Sequence, residues 1–89
     1  MFKFNLQMNK NILQNKILKI LSSILKTDIK KLKKHIKNGK NINNWDSLNH
    51  IKIIMAIEEE FNIKFKNKEI SKTIDDKDKL INSVFEMLK

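Results

Sequence analysis

Asn44-Trp45-Asp46-Ser47-Leu48-Asn49-His50-Ile51-Lys52-Ile53-Ile54-Met55-Ala56-Ile57-Glu58-Glu59-Glu60-Phe61-Asn62-Ile63 decides the fold, because it holds a helix start, an amphipathic body and a helix stop in that order. Asp46 is suited to accept hydrogen bonds from the first free backbone N–H groups, and its charge complements the positive end of the helix dipole. Ser47 then falls in the first turn, where its hydroxyl is expected to be exposed and open to modification. Downstream, Leu48, Ile51 and Met55 recur at helical spacing, and Ile54, Ile57 and Phe61 widen the same apolar face. The water-facing side carries Asn49, Lys52, Glu59 and the end of the Glu58-Glu59-Glu60 run, and Asn62 reads as the C-terminal stop.

On the N-terminal side, an amphipathic helix is expected from about Asn9 to Lys26, with Leu13, Ile17, Ile20, Leu21 and Ile24 on one face. Residues 1–8 form a short arm, whose Phe2 and Phe4 either pack on the domain edge or fray. From Thr27 to Asn44 the chain is lysine-rich and weakly periodic, with Leu32, Ile36 and Ile42 as isolated apolar anchors and Asn38-Gly39 as a turn signal. It reads as a long connection, of a length unusual without function or local structure. On the C-terminal side, Ile63-Lys64-Phe65 alternates briefly, and Lys68 to Ile74 fits a short helix with Ile70 and Ile74 inward. Asp75 and Asp76 suit the start of a last helix reaching Leu88, with Leu80, Ile81, Val84, Phe85 and Leu88 as its apolar stripe. Neither a β-hairpin signal nor an internal repeat stands out. Helices with one apolar face each can bury those faces only against one another. The expected fold is therefore all-α: a small four-helix bundle of three longer helices plus one short, with a long first loop, forming one domain over residues 9–89.

At 89 residues there is room for one small core. With no cysteine, disulfides, thiolate catalysis and cysteine-based metal sites are excluded for these residues, so any thiol chemistry must come from an added group. His35 and His50 lie far apart without companion ligands and read as solvent-facing, with no metal site expected. His50, one turn after Ser47, is placed to touch a modifying enzyme or an attached group. No apolar stretch approaches the ~20 residues that span a bilayer, and the opening residues lack a signal-peptide core, so a cytoplasmic location is the default expectation. The net charge of +9 invites a nucleic-acid reading. Against it, all nineteen basic residues are lysine and none is arginine, the side chain on which phosphate and base-edge recognition leans. Heavy use of lysine, isoleucine and asparagine fits an A/T-rich coding sequence, a cause of charge that needs no ligand. The run Lys30-Lys31-Leu32-Lys33-Lys34 reads either as a solvated loop surface or as an electrostatic patch for an acidic partner or anionic surface.

The run Asn44 to Ile63 resembles the second helix of an acyl carrier protein, whose pattern is Asp-Ser-Leu, an apolar helix, then Glu-Glu-Phe. The resemblance implies that Ser47 is esterified with phosphopantetheine from coenzyme A by a separate phosphopantetheinyl transferase, and that the terminal thiol carries an acyl group as a thioester. It implies an acyl-loading ligase or synthase and an acyl-consuming transferase as partners, a monomeric carrier, and a bundle that shelters the chain. A long first loop, often holding a short helical turn, leads into the modified serine in that family. Asp46 would orient the serine or contact the transferase, though capping alone accounts for it. Leu48, Ile51 and Met55 become candidates for lining an acyl cavity, with ordinary core packing as the other reading; Met55 is the most adaptable of them. Partner docking would use the exposed side of the helix through Asn49, Lys52, Glu58 and Glu59.

Two features depart from carriers of bacterial fatty-acid synthesis. Asn49 and Lys52 stand where acidic residues are common there, and Trp45 stands where a small residue precedes Asp-Ser-Leu. A Trp-Asp-Ser-Leu junction looks more like stand-alone carriers of specialised pathways, such as surface-sugar or secondary-metabolite biosynthesis; equally, the indole covers the bundle end. The glycine-rich approach of peptidyl carriers is missing, while D-alanyl carriers stay within the match. No nucleophile, base and orienter are arranged as a self-contained catalyst needs, so enzymatic activity is not expected. The competing reading is an unmodified basic helical module that binds nucleic acid or an acidic protein.

Overall fold

The structure, a computed structural model, describes residues 9–34 and 44–88. The arm 1–8 with Phe2 and Phe4, and His35, Ile36, Asn38, Gly39 and Ile42, lie outside the described residues. Five helices are present among those described: α1 Lys10–Leu25, α2 Ile29–Lys33, α3 Ser47–Phe61, α4 Asn67–Thr73 and α5 Lys77–Met87. No strand occurs among the described residues, and the architecture is a small all-helical bundle.

Each of the longer helices begins on a side chain that accepts from an otherwise unsatisfied N–H group. Asn9 Oδ1 accepts from Ile12 N at 2.9 Å, Asp46 Oδ1 from Asn49 N at 2.9 Å, and Asp76 Oδ1 from Lys79 N at 3.0 Å. Two of them stop on a left-handed residue. Lys26 at φ 54° donates its N–H to Ser22 O, and Asn62 at φ 56° donates to Glu58 O. Asparagine tolerates that conformation better than most residues; lysine adopts it here because the chain must turn sharply into α2.

α1 is the hub, packing against α2, α3 and α5, while α4 bridges α3 and α5. That position broadens its apolar arc. Leu13, Ile17, Leu18, Leu21 and Leu25 are buried, whereas Ile20 and Ile24, expected on the inward face, are only half-buried. The core closes with Ile53, Ile54 and Ile57 of α3, Leu80, Ile81 and Val84 of α5, and Leu32, Trp45 and Phe65 from the connections and α2. Each such side chain contributes about 1.5–3 kcal/mol of burial.

The segment read as a long loop contains α2. Of its two apolar residues, Leu32 is wholly buried and Ile29 is half-buried against the core, while Lys30, Lys31, Lys33 and Lys34 are exposed. Five residues with only two apolar positions, Ile29 and Leu32, carry too little periodicity to announce a helix; packing onto α1 supplies what the local pattern lacks.

The turn between α3 and α4 is fixed by two carboxylates. Glu58 Oε2 accepts from Phe65 N at 2.9 Å, and Glu69 Oε1 accepts from Lys66 N at 2.9 Å. Of the two residues expected inward on the short helix, Ile70 and Ile74 are each half-buried, and the wholly buried position is Thr73. Its hydroxyl donates back to Glu69 O at 2.9 Å.

Candidate functional site

Ser47 is the first residue of α3 and is exposed, with Asp46 as the N-cap directly before it. Among the described residues no hydrogen bond engages its hydroxyl. The first-turn N–H groups and the helix dipole make this end of α3 favourable to an anion. Beside Ser47 lies a recess of about 240 Å³ between α3 and α4, lined by Ser47, His50, Ile51, Ile70, Ser71 and Ile74.

The approach to Ser47 is braced from below. Asn49 Nδ2 donates to Asn44 O at 2.7 Å, and Asp46 N donates to Asn44 O at 2.9 Å. Trp45 is buried, as expected of an indole that covers the bundle end, and its Nε1–H donates to His50 Nδ1 at 3.0 Å. The other ring nitrogen of His50, Nε2, lies 2.9 Å from Ile70 O and 3.0 Å from Thr73 Oγ1.

His50 is thus 2% exposed, which corrects its reading as a solvent-facing residue. The reason is helical phase. At about 100° per residue, His50, Ile53, Ile54, Ile57 and Phe61 share one arc, and that arc faces the core. Leu48, Ile51 and Met55 fall in a second arc roughly 130° round the helix. They are 67%, 44% and 62% exposed, so they form neither core nor the lining of an enclosed cavity. Ile51 edges the recess beside Ser47, while Leu48 takes no part in its lining. Met55 borders a separate shallow hollow of about 450 Å³ with Glu58, Glu59, Asn62, Ile63 and Lys64, at the far end of α3.

The proposed docking residues also divide. Lys52 and Glu59 are exposed; Asn49 and Glu58 are half-buried and committed to bracing the flanking loops. Glu60 pairs with Lys16 across α1 and α3 at 3.5 Å, a surface ion pair of small energetic weight.

Because an indole N–H can only donate, Nδ1 of His50 must accept, which leaves the proton on Nε2 to face the Ile70 carbonyl. The ring is therefore neutral in this arrangement. Its pKa lies below the ordinary 6.5, chiefly because burial disfavours the cation; the bond to the Ile70 carbonyl opposes that. This network was not legible from pattern rules. Its one sequence signal is a histidine standing on the same arc as Ile53, Ile54, Ile57 and Phe61, and Thr73 carried none.

Among the described residues no group of three His, Asp or Glu side chains is placed to hold a metal ion. No described helix is long and apolar enough to cross a membrane. Comparison of the chain with protein-family models, with curated proteins and with solved structures gives no match in any of the three.

Proposed function

We propose that the chain is an acyl-carrier-type protein whose Ser47 is the attachment point for phosphopantetheine, serving a specialised biosynthetic pathway. The observation that carries this reading is the setting of Ser47: an exposed hydroxyl at the first position of α3, after the N-cap Asp46, beside a recess lined mainly by Ile51, Ile70 and Ile74.

The residues suit the group. A phosphodiester on Ser47 would meet the positive end of α3, and an arm lying against Ile51, Ile70 and Ile74 would cover apolar surface. When bound, the group supplies a terminal thiol able to carry a thioester, which the cysteine-free chain cannot. The chain's own residues position and shelter: Asp46 caps the helix that presents Ser47, and Asn49 and Glu58 hold the loops at its two ends. Lys52, Glu59 and the exposed apolar flank Leu48, Ile51 and Met55 are the surface that a transferase, a loading ligase or an acyl-consuming enzyme would meet.

The deciding experiment is mass spectrometry after incubation with coenzyme A, Mg²⁺ and a broad-specificity phosphopantetheinyl transferase. The expected result is a gain of one phosphopantetheine that disappears in Ser47→Ala. No gain with several competent transferases overturns the reading and turns attention to the basic binding module, measured by salt-dependent binding to nucleic acid.

A further inference from the structure

We propose that His50 is the positioning residue of the Ser47 site: as the neutral Nε2–H tautomer it ties the Trp45 approach to α4, and protonation of Nδ1 unties it. The inference rests on the carrier reading only for its functional consequence; the device itself stands on geometry.

Trp45 lies two residues before Ser47 on the approach, and His50 lies three after it on α3. The bond from Trp45 Nε1 to His50 Nδ1 spans that junction, and the rings sit 6.0 Å apart between centroids, tilted by 42°. On its far side, Nε2 reaches the Ile70 carbonyl and the Thr73 hydroxyl of α4. Thr73 is itself anchored to Glu69 O, so its hydroxyl proton is committed and its oxygen is left to accept from the imidazole. One ring therefore joins the segment entering Ser47 to the helix that forms the opposite wall of the recess, which His50 and Ile70 both line.

The neutral form is a condition of the arrangement. A proton added at Nδ1 points at the indole N–H, turning an acceptor into a second donor at 3.0 Å. The ring would then sit charged and buried with one partner repelling it, so the Trp45 contact breaks before the Ile70 contact does. The charged residues closest to it in the chain are Asp46, the N-cap of its helix, and Lys52, while Glu69 and Lys72 stand on α4 and Asp75 just after it. The carboxylate of Asp46 is bound to Asn49 N and that of Glu69 to Lys66 N, and Lys72 is exposed.

The sign follows from a folded-state pKa below the ordinary value. The folded protein binds fewer protons at this ring than the unfolded chain, so the stability it contributes is full above pH 6.5. That contribution is lost progressively as pH falls from 6.5 through the folded-state value, and the Ser47 junction loosens over the same range.

The test is an NMR titration of the full chain, following the His50 ring nitrogens, the Trp45 indole N–H and the backbone amides of Asp46, Ser47 and Leu48. The expected result is an Nε2–H tautomer at neutral pH, and indole and Ser47 amide shifts that share the His50 midpoint. Trp45→Phe should raise that midpoint, because the opposing donor is gone. His50→Gln keeps one acceptor and one donor but cannot titrate, and should abolish the shared acid step in the Ser47 amides. An Nδ1–H tautomer, a midpoint unmoved by Trp45→Phe, or Ser47 amides that stay still through the titration would each overturn the proposal. The pH profile of modification by the transferase supplies the functional arm, with wild type losing rate on acidification more steeply than His50→Gln; equal profiles also count against it. A chain that is never modified sinks the carrier reading while leaving the NMR result to decide the device.

Discussion

The two sides of α3 are similar in sequence and opposite in fate. Leu48, Ile51 and Met55 recur at helical spacing as well as Ile53, Ile57 and Phe61 do, yet the first set lies on the surface and the second meets the core. The buried side even includes a histidine. Apolar character therefore did not choose the inward face; the surfaces available to cover it did. α1 offers Leu13, Ile17 and Leu21 to one arc, and α4 offers a carbonyl and a hydroxyl that a neutral imidazole satisfies. The outer arc is left largely exposed, with Ile51 edging the recess shared with Ile70 and Ile74 beside Ser47.

This contrast can be broken most directly at the core. Ile57→Ala should cost about 2–5 kcal/mol in urea unfolding, since a fully buried side chain is removed and the packed surroundings relax only in part. A loss below about 1 kcal/mol would mean that the inward arc has been misplaced. A smaller effect is expected at the junction between the two sides: Asp46→Ala should cost about 1 kcal/mol through loss of the N-cap, read as a lower urea midpoint with an unchanged slope. The smallest sharpens the comparison. Leu48→Ser and Met55→Ser should change stability by no more than about 0.5 kcal/mol, and a large destabilisation would show that the outer arc has a partner within the chain. If the carrier reading holds, those same two changes should slow modification of Ser47 at unchanged stability, which transferase kinetics would read.

Much of the architecture was legible because short-range chemistry announced it. Asn9, Asp46 and Asp76 as helix starts and Asn62 as a stop are side chains whose capping geometry needs no distant partner. The stripe on α5 was equally plain, since that helix offers one apolar arc and no competitor: Leu80, Ile81 and Val84 are buried, and Phe85 and Leu88 are half-buried against the core. α2 was implied only by the resemblance, whose first loop often holds a short helical turn; Ile29 and Leu32 among lysines are too short a pattern to show a period, and their burial depends on α1 being alongside. On α1, the surrounding helices drew in Leu18 and Leu25 and left Ile20 and Ile24 half-covered. At the candidate site, the position of Ser47 on an exposed helix start was readable, whereas the Trp45, His50 and Thr73 contacts join residues far apart in sequence.

By itself the sequence determined that the segments of α1, α4 and α5 are helical, where α3 starts, and that a cysteine-free chain presents a serine there. Those are consequences of capping and of periodicity, which act over four residues or fewer. The tertiary structure alone decided which of two apolar arcs on α3 turns inward, and that His50 is buried and neutral between Trp45 and α4. Both depend on which surfaces arrive from elsewhere in the chain, and the cost of burying a polar ring is set by the partners that meet it.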